Sequence, residues 1–198
     1  MIRTLLGTVV LAAGMTAAHA APETFNFDKT HTKVIFAYSH VGMSNQYARF
    51  DSVDGEVVFD ADKPENSKVS VTIDPASVDT DVKALDDHLK AEDFFNVAKY
   101  PKVTFVSTDV RKTGTKTYQI TGTLTMKGKS HPVTLDATLN HIGDHPLAGF
   151  VKAYAGATYI GFSGKARIRR SDFDLGLYAP LTSDVVDIII ETEMRQKK

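Results

Sequence analysis

An all-β fold, a barrel or a sandwich carrying one short helical insertion, is what this sequence predicts, and three observations predict it. Apolar and polar residues alternate with a period of two through many short segments. Turn residues punctuate those segments, Gly128 between Lys127 and Lys129 being the plainest case. One stretch, residues 74–102, breaks the alternation and concentrates aromatic and charged side chains, among them Asp86, Asp87, His88, Phe94 and Phe95.

In chain order, strands are expected over residues 33–41, 46–50 and 53–60, then over 69–73, where Val69, Val71 and Ile73 share a face. Val82, Leu85 and Leu89, spaced i, i+3 and i+7 with Ala84 beside them, make the insertion helical. Asp79, Thr80 and Asp81 supply N-cap oxygens for it. Residues 91–96 are too short to assign, and alternation resumes over 103–107. Ile120, Leu124 and Met126 face one way and Thr121, Thr123 and Thr125 the other; Val133, Leu135, Ala137 and Leu139 repeat the pattern. Between these runs Gly128 supplies the positive φ of a hairpin turn. Residues 143–149, with Pro146, read as a loop and 157–169 as a strand. The last strand sets Val186, Ile188, Ile190 and Met194 against Asp187, Glu191 and Glu193. A membrane-spanning barrel also alternates, with its apolar face to lipid; the helical insertion and the short strands make it the minor alternative.

Arg3, an apolar run over residues 5–13 and Ala18-His19-Ala20 form a positively charged start, a short hydrophobic region and a small-x-small cleavage site. Gly7, Gly14 and Thr16 interrupt the run well short of the roughly 20 apolar residues of a spanning helix. Cleavage after Ala20 is expected, leaving residues 21–198 as one exported domain, with the periplasm as its location. Loss of Arg3 takes the formal net charge from −1 to −2. That balance gives no footprint for nucleic acid and no polybasic membrane patch. There is no cysteine to form a disulfide or carry a lipid, and a chain of this length buries enough apolar surface to fold unaided.

Chemistry-bearing motifs are few. Asp86, Asp87 and His88 are consecutive, so on a helix they do not face one another, whereas Asp86–Lys90 and Lys83–Asp87 do. Exposed ion pairs therefore explain the cluster better than a metal, with His88 capping or bonding a loop. His141 and His145 have metal-like spacing, but Gly143 and Pro146 deny them a shared helical face, and structural zinc needs four ligands. His31, His40 and His131 are isolated in sequence, although strands can bring His31 or His40 to the insertion. No nucleophile elbow, zincin motif, phosphate loop or dinucleotide fingerprint is present. The aromatic and aliphatic strand residues fill a core on the simplest view; a closed barrel of about eight strands can instead hold one small ligand.

Several ordered blocks resemble the YceI-like family of lipocalin-like proteins. They are residues 28–41 (DKTHTKVIFAYSHV), 55–60 (GEVVFD), 69–81 (VSVTIDPASVDTD), Asp87-His88-Leu89, Asp93-Phe94-Phe95, Lys99-Tyr100-Pro101 with Thr104-Phe105, 120–128 (ITGTLTMKG) and 132–135 (PVTL). The resemblance spans essentially the whole mature chain. It implies an extended eight-stranded antiparallel lipocalin-like barrel with a helical insertion, exported in Gram-negative bacteria, that binds a polyisoprenoid or other long-chain lipid without metal or cofactor. Two positions depart from the family pattern: Leu85 stands where arginine is common, and Asp174 where glycine is frequent.

The expectation is thus a lipid carrier or reservoir and not an enzyme. Phe36, Tyr38, Phe50, Phe94, Phe95, Phe105, Leu124, Met126 and Leu135 are the candidate wall or lid, and His31, His40, Asp87 and His88 the candidates for orienting a head group or holding the insertion. Expected partners are the long-chain lipid, a transient membrane contact and a homodimer, without nucleic acid. The alternatives are a periplasmic lipid-modifying or hydrolytic enzyme using His88 with Asp86 or Asp87, and an interaction protein with a filled barrel.

Overall fold

The computed structural model describes residues 21–197, so the expected leader over residues 1–20 lies outside the described residues. The strands are β1 (Glu23–His40), β2 (Ser44–Phe50), β3 (Val53–Phe59), β4 (Lys68–Ile73) and β5 (Val78–Asp79), then, after the helix α1 (Lys83–Lys90), β6 (Val103–Lys112), β7 (Thr117–Met126), β8 (Lys129–Asp144), β9 (Thr158–Arg169) and β10 (Val185–Gln196). Eight of them, in the order β10-β9-β8-β7-β6-β4-β3-β1, close into an antiparallel ring because β1 also pairs with β10. The fold is a barrel and not a sandwich.

The other two strands continue the ring at one end. β1 pairs with β3 over Glu23 to Asn26 and with β2 over Val34 to His40, so β2 and β3 act as one strand broken at Asp51 and Ser52. β5 likewise extends β4 beyond a 3-10 turn at Pro75–Ser77 and pairs with β2 through Arg49 and Phe50. β1 begins earlier than its pattern suggests. An irregularity between Phe27 and Thr32 shifts its register on β10 and interrupts the alternation there.

Inside, Val34, Val57, Val71, Phe105, Leu124 and Ile190 share one apolar surface. Outside, Asp187, Glu191 and Glu193 of β10 are exposed. This is the reverse of a membrane-spanning barrel, whose outer band is apolar. The β7–β8 hairpin turns on two residues, Lys127 and Gly128, at φ 50° and 75°, and Met126 pairs directly with Lys129. That is the twist a two-residue hairpin requires. β8 runs on to Asp144, two residues into the expected loop. Gly122 of β7 makes room for a cavity-lining ring, since a Cβ there would lie 2.4 Å from Cζ of Phe105.

The loops at one end connect β1 to β2, β5 to β6, β7 to β8 and β9 to β10; α1 lies in the second of these. At the opposite end, Phe59, Tyr118 and Phe162 meet edge to face, with ring centroids 5.6 to 6.0 Å apart. The barrel therefore has a plugged end and a lidded end.

Candidate functional site

Two cavities lie along the barrel axis. The inner chamber, about 190 Å³, is walled by side chains of the ring strands, among them Val71, Phe105, Leu124, Leu135 and Ala166. The outer chamber, about 300 Å³, lies under the insertion and the 170–184 segment. Phe50, Met126, Ile168 and Ile188 line both, which makes the apolar surface continuous from one to the other.

The inner lining carries four hydroxyls, on Thr32, Ser67, Tyr118 and Thr192. Those of Thr32 and Thr192 bond each other at 2.9 Å, and that of Ser67 accepts the Asp60 N–H. Among the described residues no buried side-chain polar atom lacks a partner. Water needs two to four polar partners to occupy a cavity, and an apolar void of about 150 Å³ stays dry and takes up apolar molecules. The inner chamber is larger than that and equally apolar. An apolar occupant of this chamber replaces void with contact, each pair of touching heavy atoms adding about 0.1–0.2 kcal/mol.

The lid begins with α1. Its expected caps take other partners: Val82 occupies the N-cap position without a side-chain bond, and Asp86 accepts from the Thr80 N–H and hydroxyl at 2.8 and 2.7 Å. The Thr80 hydroxyl bond first, against the opposing effect of burial, holds the Asp86 carboxyl below its usual range. Asp86 thus turns to Thr80 and not to Lys90, while Lys83 and Asp87 form the expected pair at 2.7 Å. After the helix, Phe95 N–H donates to the Leu89 carbonyl at 2.9 Å and Val97 N–H to that of Lys90 at 3.2 Å. This fold-back drops Phe95 into the barrel, its ring edge-on to Phe50 at 5.6 Å. Phe50 in turn meets Phe36 at 5.4 Å.

The second half of the lid is organised by a residue that periodicity does not reveal. Arg170, 8 % exposed, donates from Nε to the Ser183 carbonyl at 2.8 Å, from Nη1 to those of Leu175 and Leu177 (2.7 Å for the latter), and from Nη2 to that of Thr182 at 2.7 Å. One guanidinium therefore gathers the carbonyls of a whole loop. Burial pulls Arg170 below its ordinary value, opposed by the charges of Asp184 and Tyr38. Burial also pushes Asp184 up, but the Ser171 hydroxyl and N–H and the nearby arginines outweigh it and leave the carboxyl low. Asp174 ends a 3-10 turn over Arg170–Phe173 in the left-handed region, at φ 56° and ψ 30°. The family's frequent glycine suits that conformation without strain.

Phe36, Tyr38, Phe94 and Phe95 line the outer chamber, Phe105, Leu124 and Leu135 the inner one, and Phe50 and Met126 both. His40 and His88 face the outer chamber. His88 packs against Phe94 and Tyr178, with centroids 4.9 and 6.3 Å away. Asp87 does not reach the chamber, because its exposed carboxylate is held by Lys83 on the outer face of α1. The Asp86/Asp87–His88 dyad is accordingly not assembled, each carboxylate having turned to another partner. Leu85, at the family's arginine position, adds a further apolar group to the chamber. Leu89, Ile168, Ile188, Leu177 and Tyr178 are among the lining residues beyond the expected set. Of these, Leu89 and Ile188 carry sequence signals, the helical spacing of the insertion and the alternation of the last strand.

His31 lies outside both linings. It is exposed in the irregular middle of β1, bonds Asp28 at 2.9 Å and lies 3.9 Å from Glu193. Burial pushes Asp28 up, but hydrogen bonds from His31 and Thr30 and the His31 charge bring it down to about 2. The bond to Asp28 raises His31. The lowered Asp28 contributes stability that is complete above its unfolded value near 3.8 and is lost as pH falls towards about 2. The raised His31 contributes stability that is complete below about 6.5 and is lost as pH climbs through its raised folded value. The pair is therefore strongest between about pH 4 and 6.5. In Asp28→Asn, an NMR titration is expected to show His31 falling back towards an ordinary imidazole; an unmoved titration would show that Asp28 does not hold it.

The chain matches the YceI-like domain model over residues 25–194. It is 38% identical over 200 residues to Protein YceI of Escherichia coli O157:H7, covering 100% of both chains. Burkholderia cenocepacia BcnA superimposes with a TM-score of 0.74 at 27% identity, covering 84% of this chain and 98% of that one. A polyisoprenoid binding domain from Saccharophagus degradans, implicated in plant cell wall breakdown, shares the fold with a TM-score of 0.63 at 14% identity, covering 87% and 98% of the two chains.

Proposed function

The chain belongs to the YceI-like family, and on that premise we propose that it binds a polyisoprenoid or similar long-chain lipid inside its barrel, as a carrier or reservoir and not as an enzyme. One observation carries this reading: the apolar surface runs unbroken from the plugged end to the lid, and polar groups enter the lining in number only beneath the lid. An apolar tail is costly in water, at about 0.8 kcal/mol per CH₂, and the inner chamber shields it. The head group then lies in the outer chamber beside His40, His88 and Tyr38. The Saccharophagus degradans domain of the same fold, described as polyisoprenoid binding, supports the choice of ligand class. The leader expected over residues 1–20 supports export to the periplasm.

The test is displacement of an apolar fluorescent probe by a long-chain polyprenol. Wild type is expected to bind the probe and release it to the prenol. Phe105→Asp, which sets a charge in the inner wall, is expected to lose both while keeping its β-sheet spectrum. Unchanged uptake by a folded Phe105→Asp protein would remove the inner chamber from the binding site.

A further inference from the structure

We propose that the rim of the lidded end docks on the surface of a neutral lipid bilayer. Two of the four loops at this end, with the strand ends beside them, form the docking edge, and neither segment carries an Asp, Glu, Lys or Arg: residues 39–48 (SHVGMSNQYA) and 175–183 (LGLYAPLTS); the charges at this end lie on the α1 segment and at the β7–β8 turn. At the chain's 24% charged composition, these nineteen residues would hold about four or five charges. Backbone bonds stitch the loops into one platform, Val41 N–H to the Leu181 carbonyl and Ser183 N–H to the Ser39 carbonyl, both at 2.9 Å. On that platform Met43, Leu181 and Tyr178 stand 85%, 69% and 56% exposed. Apolar tips flanked by tyrosines and free of charge suit the water–lipid interface, where tyrosine rings concentrate.

Continuity with the chamber selects the bilayer as occupant. Leu177, Tyr178, Thr182 and His40 belong to the rim loops and also line the outer chamber. A lipid passing between bilayer and barrel at this rim need not expose its tail to water. The opposite end also has an exposed ring, Phe150 at 88%. Its loop carries Lys152 and lies at the end plugged by Phe59, Tyr118 and Phe162. Phe150 is therefore the matched control.

The experiment is co-sedimentation of the purified protein with phosphatidylcholine vesicles, alongside analytical ultracentrifugation without vesicles. Wild type and Phe150→Asp are expected to sediment alike. Met43→Asp combined with Leu181→Asp is expected to lose vesicle affinity by about tenfold or more, a difference of about 1.4 kcal/mol, with an unchanged circular dichroism spectrum and mass. Met43→Ser with Leu181→Ser gives the same reading should the charged pair fold poorly. Wild type left in the supernatant, a loss confined to Phe150→Asp, or a halved mass in the rim variants, which would make the rim a contact between two copies, would each overturn the proposal. Probe uptake without vesicles is scored separately, so failure to dock and failure to bind lipid are distinguishable.

Discussion

Replacing Arg170 with methionine is expected to lower the free energy of unfolding by about 3–5 kcal/mol, because buried carbonyl acceptors are left unpaired. The loss is not mainly one of charge. Four carbonyls, those of Leu175, Leu177, Thr182 and Ser183, converge on the guanidinium, and each acceptor left unpaired in a buried site costs roughly 1–3 kcal/mol. Loop carbonyls near the surface recover part of this from water, which keeps the total below the sum. Arg170→Lys is expected to restore less than half, because an ammonium lacks the planar fork that reaches several acceptors at once. Urea denaturation measures both variants. A change under about 1 kcal/mol in Arg170→Met would mean that the loop is held by its apolar contacts alone.

The second large effect is expected from filling the inner chamber. Ala166 of β9 lines that chamber beside its register partner Ile188 of β10. Ala166→Phe places a ring in the space assigned to the lipid tail. Long-chain prenol affinity is expected to fall by more than about tenfold, equivalent to 1.4 kcal/mol. The unfolding midpoint should hold or rise, since the ring replaces void with contact. That pairing of lost binding with retained stability separates a displaced ligand from a damaged fold. Undiminished affinity would place the tail outside the inner chamber.

Much of the fold was legible because burial on one side of a strand imposes a period of two. The runs at Ile120, Leu124, Met126 and at Val133, Leu135, Ala137 became β7 and β8, and Gly128 their turn. Where the period breaks, legibility ended. The irregularity between Phe27 and Thr32 hid the first half of β1, and the interruptions at Asp51–Ser52 and Pro75–Ser77 hid the continuity of the strands they divide. The two chambers could not be read from alternation, since a filled and a hollow barrel use the same pattern. Arg170 was invisible for another reason. Its acceptors are backbone carbonyls five to thirteen residues ahead, and no side-chain pattern reports them. Helical spacing rightly paired Lys83 with Asp87, yet Asp86 found a closer partner in Thr80, before the helix begins.

Native mass spectrometry of protein purified from cells without detergent, with organic extraction of any bound mass, shows directly whether the barrel holds a long-chain lipid. A stoichiometric adduct that extracts as a long-chain isoprenoid-like lipid is the predicted result. A bare polypeptide mass, unchanged after incubation with polyprenol, would contradict it.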